Sequence, residues 1–442
     1  MDYLVSNGLQ RYKKYLNHLQ ESIKNSNFAP MNYQTHTCKS GLRIIHLHSA
    51  SPVIYCGLAI HAGTRHEQPG EEGLAHFCEH LMFKGTHRRS AVQIINALEG
   101  VGGELNAFTN KEDTVYYAAT TRQHFRRAVD VLFDIVFCSV FPEQEVEKER
   151  EVVCDEIESY EDSPAELIFD EFENMLFEGH PLGHNILGSS EKVRSYKGDD
   201  ARRFTARYYR PENSIFFVSG DVDFSGLVRL LEKITIEPRK PYMPYKLDES
   251  YDLSEAYAHC ETPVVRHRST HQAHVMIGAR AFAATDERRW PLFLLNNILG
   301  GPAMNSRLSL SLRERNGLVY TVESSMVSYS DTGLWAVYFG CDPNDVKRCC
   351  RLVQRELDRL CQSPLSGMQL SRAKQQLHGQ LAIAADNREQ FALDFAKNFL
   401  HQGTERDIHD ILAHVDAITA EQLQSVAREV FAPERLQTLI YR

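Results

Sequence analysis

The chain has 442 residues, which is too long for a single hydrophobic core and predicts at least two domains. Its 43% hydrophobic and 24% charged residues are typical of an ordinary globular protein. A net charge of −10, without a clustered basic stretch, argues against nucleic acid as the main partner. No apolar run reaches about eighteen residues, so we expect no membrane span.

Residues 1–34 are predicted to be an N-terminal extension, whose first thirty residues have the apolar and basic pattern of an amphipathic helix. They lack the apolar core of a secretory signal, and Asp2 and Glu21 count against a mitochondrial presequence. The ten cysteines form no Cys-x-x-Cys pair, which fits a reducing compartment. We therefore expect a cytoplasmic location.

The next elements, in chain order, are short β-branched strands alternating with amphipathic helices. Strands are predicted over 41–48, 53–61, 104–109, 114–121 and 214–219, and helices over 90–98, 122–138, 143–160, 166–177 and 199–209. Ser163-Pro-Ala-Glu166 has the pattern of a capping box with proline at the first helical position.

The second half of the chain repeats the first. Residues 204–218 resemble 426–440, each a helix stopped by Pro-Glu and followed by a strand, and the helix pair in 122–157 is echoed in 342–381. A period of about 222 residues indicates a duplicated domain. We predict an α+β fold with two homologous α+β domains in tandem, each a mostly antiparallel sheet packed with helices.

The predicted boundaries are a first domain over 35–240, a linker over 241–262 and a second domain over 263–442. The linker is rich in Pro, Tyr and charged residues without periodicity. Aligning the repeats places Trp290–Gly300, which has no histidine, opposite the histidine segment of the first domain, and Gln380 opposite Glu156. The second domain is therefore predicted to lack a metal site.

That histidine segment, Gly73 to Thr86, contains His76-Phe-Cys-Glu79-His80. On a helix, histidines four residues apart leave the same face and can bind one ion. His-x-x-Glu-His is the reversed zincin motif, which predicts zinc-assisted hydrolysis with Glu79 as general base. The competing interpretation is a pair of histidines on a solvated helix, and Cys78 is interpreted as a small buried side chain.

A catalytic zinc ion needs a third protein ligand. The acidic helix over 143–160 offers Glu149 and Glu156, which are seven residues apart and share one face. Spacing alone does not choose between them.

The sequence resembles the pitrilysin or insulinase-type zinc peptidases of family M16, in particular short two-domain members similar to the β-subunit of the mitochondrial processing peptidase. That family has His-x-x-Glu-His followed, seventy-six residues after the second histidine, by a ligand glutamate, and this position is Glu156. The resemblance implies Zn²⁺ held by His76, His80 and Glu156. It also implies that Glu149 supports the site.

Two further site features follow from the same resemblance. Arg313 and Tyr320, in Leu312-Arg-Glu-Arg-Asn-Gly-Leu-Val-Tyr320, match the pair that donates hydrogen bonds at the scissile peptide bond. Without the family, an ion-paired arginine and a core tyrosine would be the preferred interpretation. Asn106, Ala107 and Phe108 match the edge strand to which a peptide is added, although 104–109 could equally be an interior strand.

The implied function is a zinc-dependent endopeptidase that hydrolyses short or unfolded peptides in a closed chamber. In short members of the family the chamber is built from two chains. Because this chain has both the zinc motif and the Arg/Tyr pair, we expect a homodimer, with a heterodimer containing an inactive homologue as the alternative. The competing function is a noncatalytic scaffold or a partner-dependent processing subunit.

Overall fold

A computed structural model describes residues 33–234, 263–268, 270–404 and 408–442. The predicted linker 241–262 and the amphipathic helix proposed for the first thirty residues lie outside the described residues. So does the rest of the N-terminal extension, apart from residues 33 and 34. In the part of the chain that is described, no helix is both long enough and apolar enough to cross a membrane.

The first sheet has six strands in the order β1-β2-β6-β3-β5-β4. Its strands are β1 (Tyr33–Thr37), β2 (Arg43–Leu47), β3 (Val53–Ile60), β4 (Glu104–Thr109), β5 (Thr114–Thr121) and β6 (Ser214–Ser219). β2 pairs with β6 in parallel, whereas the pairs β3/β6, β3/β5 and β4/β5 are antiparallel. This order places β4 at one edge of the sheet.

The second sheet repeats this topology with five strands in the order β7-β11-β8-β10-β9. Its strands are β7 (Val264–Arg266), β8 (Ala273–Ala281), β9 (Val319–Ser328), β10 (Gly333–Cys341) and β11 (Gln437–Tyr441). β7 and β11 are parallel, and the pairs β8/β11, β8/β10 and β9/β10 are antiparallel, as in the first sheet. The α+β fold with two mostly antiparallel sheets is therefore confirmed.

Eight helices are described in the first half. They are α1 (Leu74–Leu81), α2 (Ala91–Glu99), α3 (Phe125–Cys138), α4 (Glu143–Glu161), α5 (Pro164–Leu176), α6 (Ser190–Ser195), α7 (Gly198–Tyr208) and α8 (Phe224–Leu231). α3 packs on β3 and β5 because Val129, Leu132 and Val136 fall at helical spacing on one face, and all three are buried. α1 packs against α4, α7 and β4.

The second half contributes six described helices: α9 (Arg289–Gly300), α10 (Val346–Gln362), α11 (Gly367–Ala384), α12 (Arg388–Gln402), α13 (Ile408–Ala417) and α14 (Ala420–Val430). α11 packs on α9 as α4 packs on α1. A six-residue π-helix, Ser309–Glu314, precedes β9. The duplication predicted from the sequence therefore extends to the helix that corresponds to α1.

One helix of each half packs on the sheet of the other half. α5 packs on β8 and β11, where Leu167 and Phe172 share a buried cluster with Met276. Reciprocally, α12 packs on β3 and β6, with the Phe395 and Phe217 ring centroids 6.2 Å apart. The two sheets are thus held together by exchanged apolar surfaces.

A buried ion-pair network also joins the halves. The Arg65 side chain is only 1% exposed, and its Nη1 donates to Glu112 at 2.7 Å and to Asp331 at 2.7 Å. Its Nη2 donates to the second Asp331 oxygen, which makes the contact bidentate. Glu112 in turn accepts from the backbone N–H of Ser330 at 3.1 Å. A buried guanidinium therefore has carboxylate partners from both halves.

The predicted capping box at Ser163 is wrong. α5 begins with Pro164 as expected, but Ser163 has ψ 79° and its side chain makes no cap hydrogen bond. The Ser163 carbonyl oxygen instead accepts from Glu166 and Leu167 at 3.0 and 2.9 Å. Ser90, with ψ 165°, does form a capping box with Gln93. The two N-cap residues differ in backbone conformation, since Ser90 is extended and Ser163 is not.

Candidate metal centre

The helix α1 is buried by apolar side chains. Leu74, Phe77, Cys78 and Leu81 are at most 1% exposed and anchor the helix in the core of the first half. The helix starts at Gly73, whose φ is +85°, and a Cβ there would lie 2.6 Å from the Leu187 carbonyl oxygen. Only glycine fits this left-handed, crowded position. The two histidines of α1 are thus held on a rigid element.

Glu67 caps this helix from outside it. The Glu67 carboxylate accepts from the backbone N–H groups of Gly73 at 3.0 Å and Ala75 at 2.7 Å. It is 1% exposed and lies 2.9 Å from Nε2 of His184. Burial raises the pKa of Glu67 to about 7, although His184 opposes the rise. Because a glycine N-cap has no side-chain acceptor, Glu67 provides the one that the first turn needs.

The structure brings His76, His80 and Glu156 together. Nε2 of His80 is 3.3 Å from one Glu156 oxygen, and Nε2 of His76 is 3.8 Å from the other. The imidazole ring centroids are 4.7 Å apart, and the three candidate ligand atoms all lie within 4.8 Å of one another. The spacing of four on α1 and the packing of α4 against α1 produce this cluster.

This donor set fits a zinc ion. Zinc bonds to histidine nitrogen and carboxylate oxygen are about 2.0–2.2 Å long, so neighbouring ligands on a tetrahedral ion are about 3.4 Å apart. The observed separations of 3.3 and 3.8 Å are close to that value. Two imidazoles and one carboxylate are also a known catalytic zinc set that keeps a fourth position for water.

Glu149 contacts His80 at the ring nitrogen that does not face Glu156. Its Oε1 lies 2.9 Å from Nδ1 of His80, and its Oε2 lies 2.6 Å from Nζ of Lys84. The Glu149 side chain is 5% exposed. A hydrogen bond to Nδ1 fixes the ring orientation and leaves Nε2 for a metal. Burial opposes the charge of Glu149, but His80 and Lys84 outweigh it and lower the pKa of Glu149.

The two histidines have opposite electrostatic environments. Burial, reinforced by His80, lowers the pKa of His76 to about 4. Burial also disfavours charge on His80, but hydrogen bonds to Glu149 and Glu156 outweigh it and raise the pKa of His80 to about 9. The hydrogen bond with His80 is the main cause of a lowered pKa at Glu156. His80 would have to lose its proton to hold a metal ion here near neutral pH.

Glu79 lies on α1 between the two histidines and is 9% exposed. Its Oε2 accepts a hydrogen bond of 2.7 Å from the Thr109 hydroxyl at the end of β4. Burial raises the pKa of Glu79, and the Thr109 bond partly offsets the rise. A carboxylate whose pKa is raised towards neutrality is suited to accept and return a proton.

The predicted substrate strand lies beside this cluster. β4 is the last strand of its sheet, and its partner among the described strands is β5. Asn106 is exposed, whereas Ala107 and Phe108 are half-buried. Because α1 packs against β4 and Thr109 bonds to Glu79, the end of β4 lies next to the helix that carries His76 and His80.

Arg313 and Tyr320 are not joined to the cluster within one chain. Among the described residues, the hydrogen bonds and ion pairs of the cluster come from α1, α4, Lys84 and Thr109. Nε of Arg313 donates to Glu314 at 2.9 Å. The Tyr320 side chain at the start of β9 is 87% exposed. The described part of the second half also has no group of three metal-binding side chains.

The sequence-based prediction missed three residues of the site: Glu67, Lys84 and Thr109. The signal for Lys84 was a basic residue four positions after His80, although α1 ends at Leu81, before Lys84. The signal for Glu67 was an acid shortly before a helix that starts at glycine. Thr109 had no local signal, since its bond to Glu79 spans thirty residues.

A duplicated α+β fold with a His-x-x-Glu-His cluster on one of its repeats defines a protein of the metallopeptidase class. Two family models match the chain: "Insulinase (Peptidase family M16)" over residues 43–190 and "Peptidase M16 inactive domain" over residues 196–377. The chain belongs to peptidase family M16, the insulinase family.

Named relatives support this assignment. The chain is 33% identical over 408 residues to an uncharacterized zinc protease, YmxG, of Bacillus subtilis, with 92% of this chain and 97% of the relative covered. It is 34% identical over 406 residues to an uncharacterized zinc protease of Streptomyces coelicolor, with 89% and 86% covered.

Solved structures show the same fold. A protease from Helicobacter pylori superimposes with a TM-score of 0.83 at 22% identity, covering 93% of this chain and all of the other. An M16-like peptidase from Alicyclobacillus acidocaldarius gives a TM-score of 0.79 at 19% identity, covering 94% and 99%.

Proposed function

We propose that the protein is a zinc-dependent endopeptidase that hydrolyses short or unfolded peptides, with His76, His80 and Glu156 as metal ligands and Glu79 as general base. The observation that carries the proposal is the cluster itself, in which three ligand atoms lie within 4.8 Å of one another beside a buried glutamate. The choice of zinc is supported by the donor set and by the names of the relatives.

When bound, zinc acts as a Lewis acid that makes water nucleophilic near neutral pH. Glu79 accepts the proton of the attacking water and passes it to the leaving amine. Its hydrogen bond with Thr109 keeps one carboxylate oxygen fixed while the other exchanges the proton. Glu149 holds the His80 ring so that Nε2 faces Glu156.

The substrate is proposed to pair with the open edge of β4 as an extra strand, through the main chain of Asn106, Ala107 and Phe108. Main-chain pairing holds an extended peptide with little preference for its sequence. The bond from Thr109 to Glu79 supports this placement, because a peptide on this edge would pass the general base.

We further propose that two copies of the chain enclose the peptide, with Arg313 and Tyr320 of one copy acting at the zinc of the other. Support comes from the exposure of Tyr320 and from the absence of either residue among the cluster's described contacts. A heterodimer with an inactive homologue is the alternative arrangement.

Cleavage of an internally quenched peptide, measured together with zinc per chain, tests the proposal. We expect cleavage that a chelator abolishes and added zinc restores, and His76→Ala should lose cleavage together with the zinc ion of this cluster. A zinc-loaded protein that cleaves no member of a mixed peptide library would favour the scaffold function instead.

Sharing of the site between chains has a separate test. Glu79→Gln and Tyr320→Phe chains are each expected to be impaired alone and to regain activity when mixed. If mixing restores nothing although the chains exchange, the two residues do not act across a homodimer.

A further inference from the structure

A second group of metal-binding side chains lies far along the chain from α1. His36 is the penultimate residue of β1, and Cys38 directly follows the strand, two residues after His36. Residues two apart in an extended chain project from the same face. Glu232 directly follows α8. The three side chains offer one imidazole nitrogen, one thiol sulfur and one carboxylate oxygen, all within 4.8 Å of one another.

The local backbone already fixes this group. The Cys38 N–H donates to Leu42 at 2.8 Å, and the Gly41 N–H donates to the Cys38 carbonyl oxygen at 2.9 Å, which forms a tight turn with φ +87° at Gly41. Within this turn the Lys39 N–H donates to the Glu232 carboxylate at 3.3 Å. The turn after β1 and the end of α8, which are distant in sequence, are therefore in contact.

Side-chain placement in the group is equally defined. Nε2 of His36 lies 3.2 Å from Oε1 of Glu232, with the two side chains 37% and 25% exposed. Cys38 is 4% exposed and borders the core of the first half. The group is thus open on the side of His36 and closed on the side of Cys38, which leaves a way in for an ion.

From this geometry we propose that His36, Cys38 and Glu232 form a second metal site, which takes Zn²⁺ or a similar thiophilic divalent cation. Thiolate and imidazole donors together select such metals, and three protein ligands leave the fourth position to water. The ion would link β1 to the end of α8. Because the site contains sulfur and the cluster on α1 does not, the proposal stands independently of the peptidase function.

The electrostatics of the metal-free group are consistent with this role. Burial, and then the neighbouring Glu232 charge, raise the pKa of the Cys38 thiol to about 11. The negative charge of Glu232 therefore disfavours the thiolate as long as no cation lies between the two groups. A divalent cation between them would stabilise the thiolate and the carboxylate together.

Cobalt substitution separates the two sites, since only a thiolate ligand gives a sulfur-to-cobalt charge-transfer band in the near ultraviolet. We expect the full-length protein to bind two Co²⁺ ions per chain and to show this band. The His76→Ala/His80→Ala variant should bind one ion and keep the band. Cys38→Ser should bind one ion without the band, and Cys361→Ser, which alters a half-buried cysteine of α10, should match the parent.

His36→Gln and Glu232→Gln leave the thiol in place and guard against a folding defect in Cys38→Ser. Both should bind one ion per chain and lose most of the band. In the His76→Ala/His80→Ala background, zinc should raise the melting temperature only while Cys38 is present. A parent protein without the band, or a band that survives Cys38→Ser, would overturn the second site.

Discussion

Replacing Glu149 tests how the protein prepares its histidine ligand for metal. Glu149 is 5% exposed and contacts Nδ1 of His80 at 2.9 Å and Nζ of Lys84 at 2.6 Å. Glu149→Gln keeps an oxygen that can accept from His80 but removes the charge. A hydrogen bond to a charged group is worth about 1.5–3 kcal/mol and a neutral one about 0.5–1.5, so the loss is about 1–1.5 kcal/mol. Zinc affinity should fall about tenfold.

Glu149→Ala removes the contact altogether and should weaken zinc about a hundredfold, the upper end of the effect of outer-shell partners. The assay is competition with a chromophoric zinc chelator at fixed pH. Glu147→Gln, an exposed acid on the same helix, is the matched control and should bind zinc like the parent. Parental zinc affinity in a folded Glu149→Ala protein would refute the role of Glu149.

Three further changes probe the scaffold of the site. Arg65→Met leaves two carboxylates without their buried cation and should lower the free energy of unfolding by about 3–5 kcal/mol. The control Arg122→Met removes an exposed ion pair and should lower it by about 0–1 kcal/mol. If urea unfolding finds equal losses for the two variants, the result would count against the buried network. Burial lowers the pKa of His61 from 6.5 to about 4, so its contribution to stability is complete above pH 6.5 and is lost as the pH falls towards 4. The stability difference between parent and His61→Gln should therefore shrink by about 3 kcal/mol over that range in unfolding measured at each pH, and a constant difference would be evidence against a neutral buried His61. Glu67→Ala orphans two buried N–H donors of α1 and should cost about 2–4 kcal/mol in the same assay, while Glu72→Ala, on the half-exposed loop, should cost less than half of that.

The sequence predicted the first-half elements well because their patterns are local. The strands predicted over 104–109, 114–121 and 214–219 have those bounds in the structure, and the other predicted first-half elements differ by a few residues at their ends. The strand β1 and the helices α6 and α8 were not predicted. The repeat of a helix, Pro-Glu and a strand was also sufficient to predict the duplicated sheet, whose strand order is the same in both halves apart from the additional strand β1.

Helix periodicity was unable to rank Glu149 against Glu156, because residues seven apart share a face. The distinction depends on how α4 is placed against α1, which puts Glu149 against Nδ1 of His80 and Glu156 against Nε2. The family resemblance assigns the two roles independently of the geometry. The binding of metal by Glu156 stays a prediction.

Contacts between distant segments had no sequence signal. The exchange of α5 and α12 between the two sheets depends on how the halves dock, and the Arg65 network joins residues more than 260 positions apart. The capping box at Ser163 failed for the opposite reason. Its local pattern was present, but the backbone of Ser163 is not extended and its side chain makes no cap hydrogen bond.

The most direct test of the catalytic proposal is Glu79→Gln. The variant should keep one zinc ion bound by His76, His80 and Glu156 while cleavage of a quenched peptide falls by at least about a hundredfold, the lower range for losing a general base. Loss of zinc together with activity would place Glu79 among the ligands. Zinc-loaded Glu79→Gln that cleaves at the parental rate would contradict its role as the base.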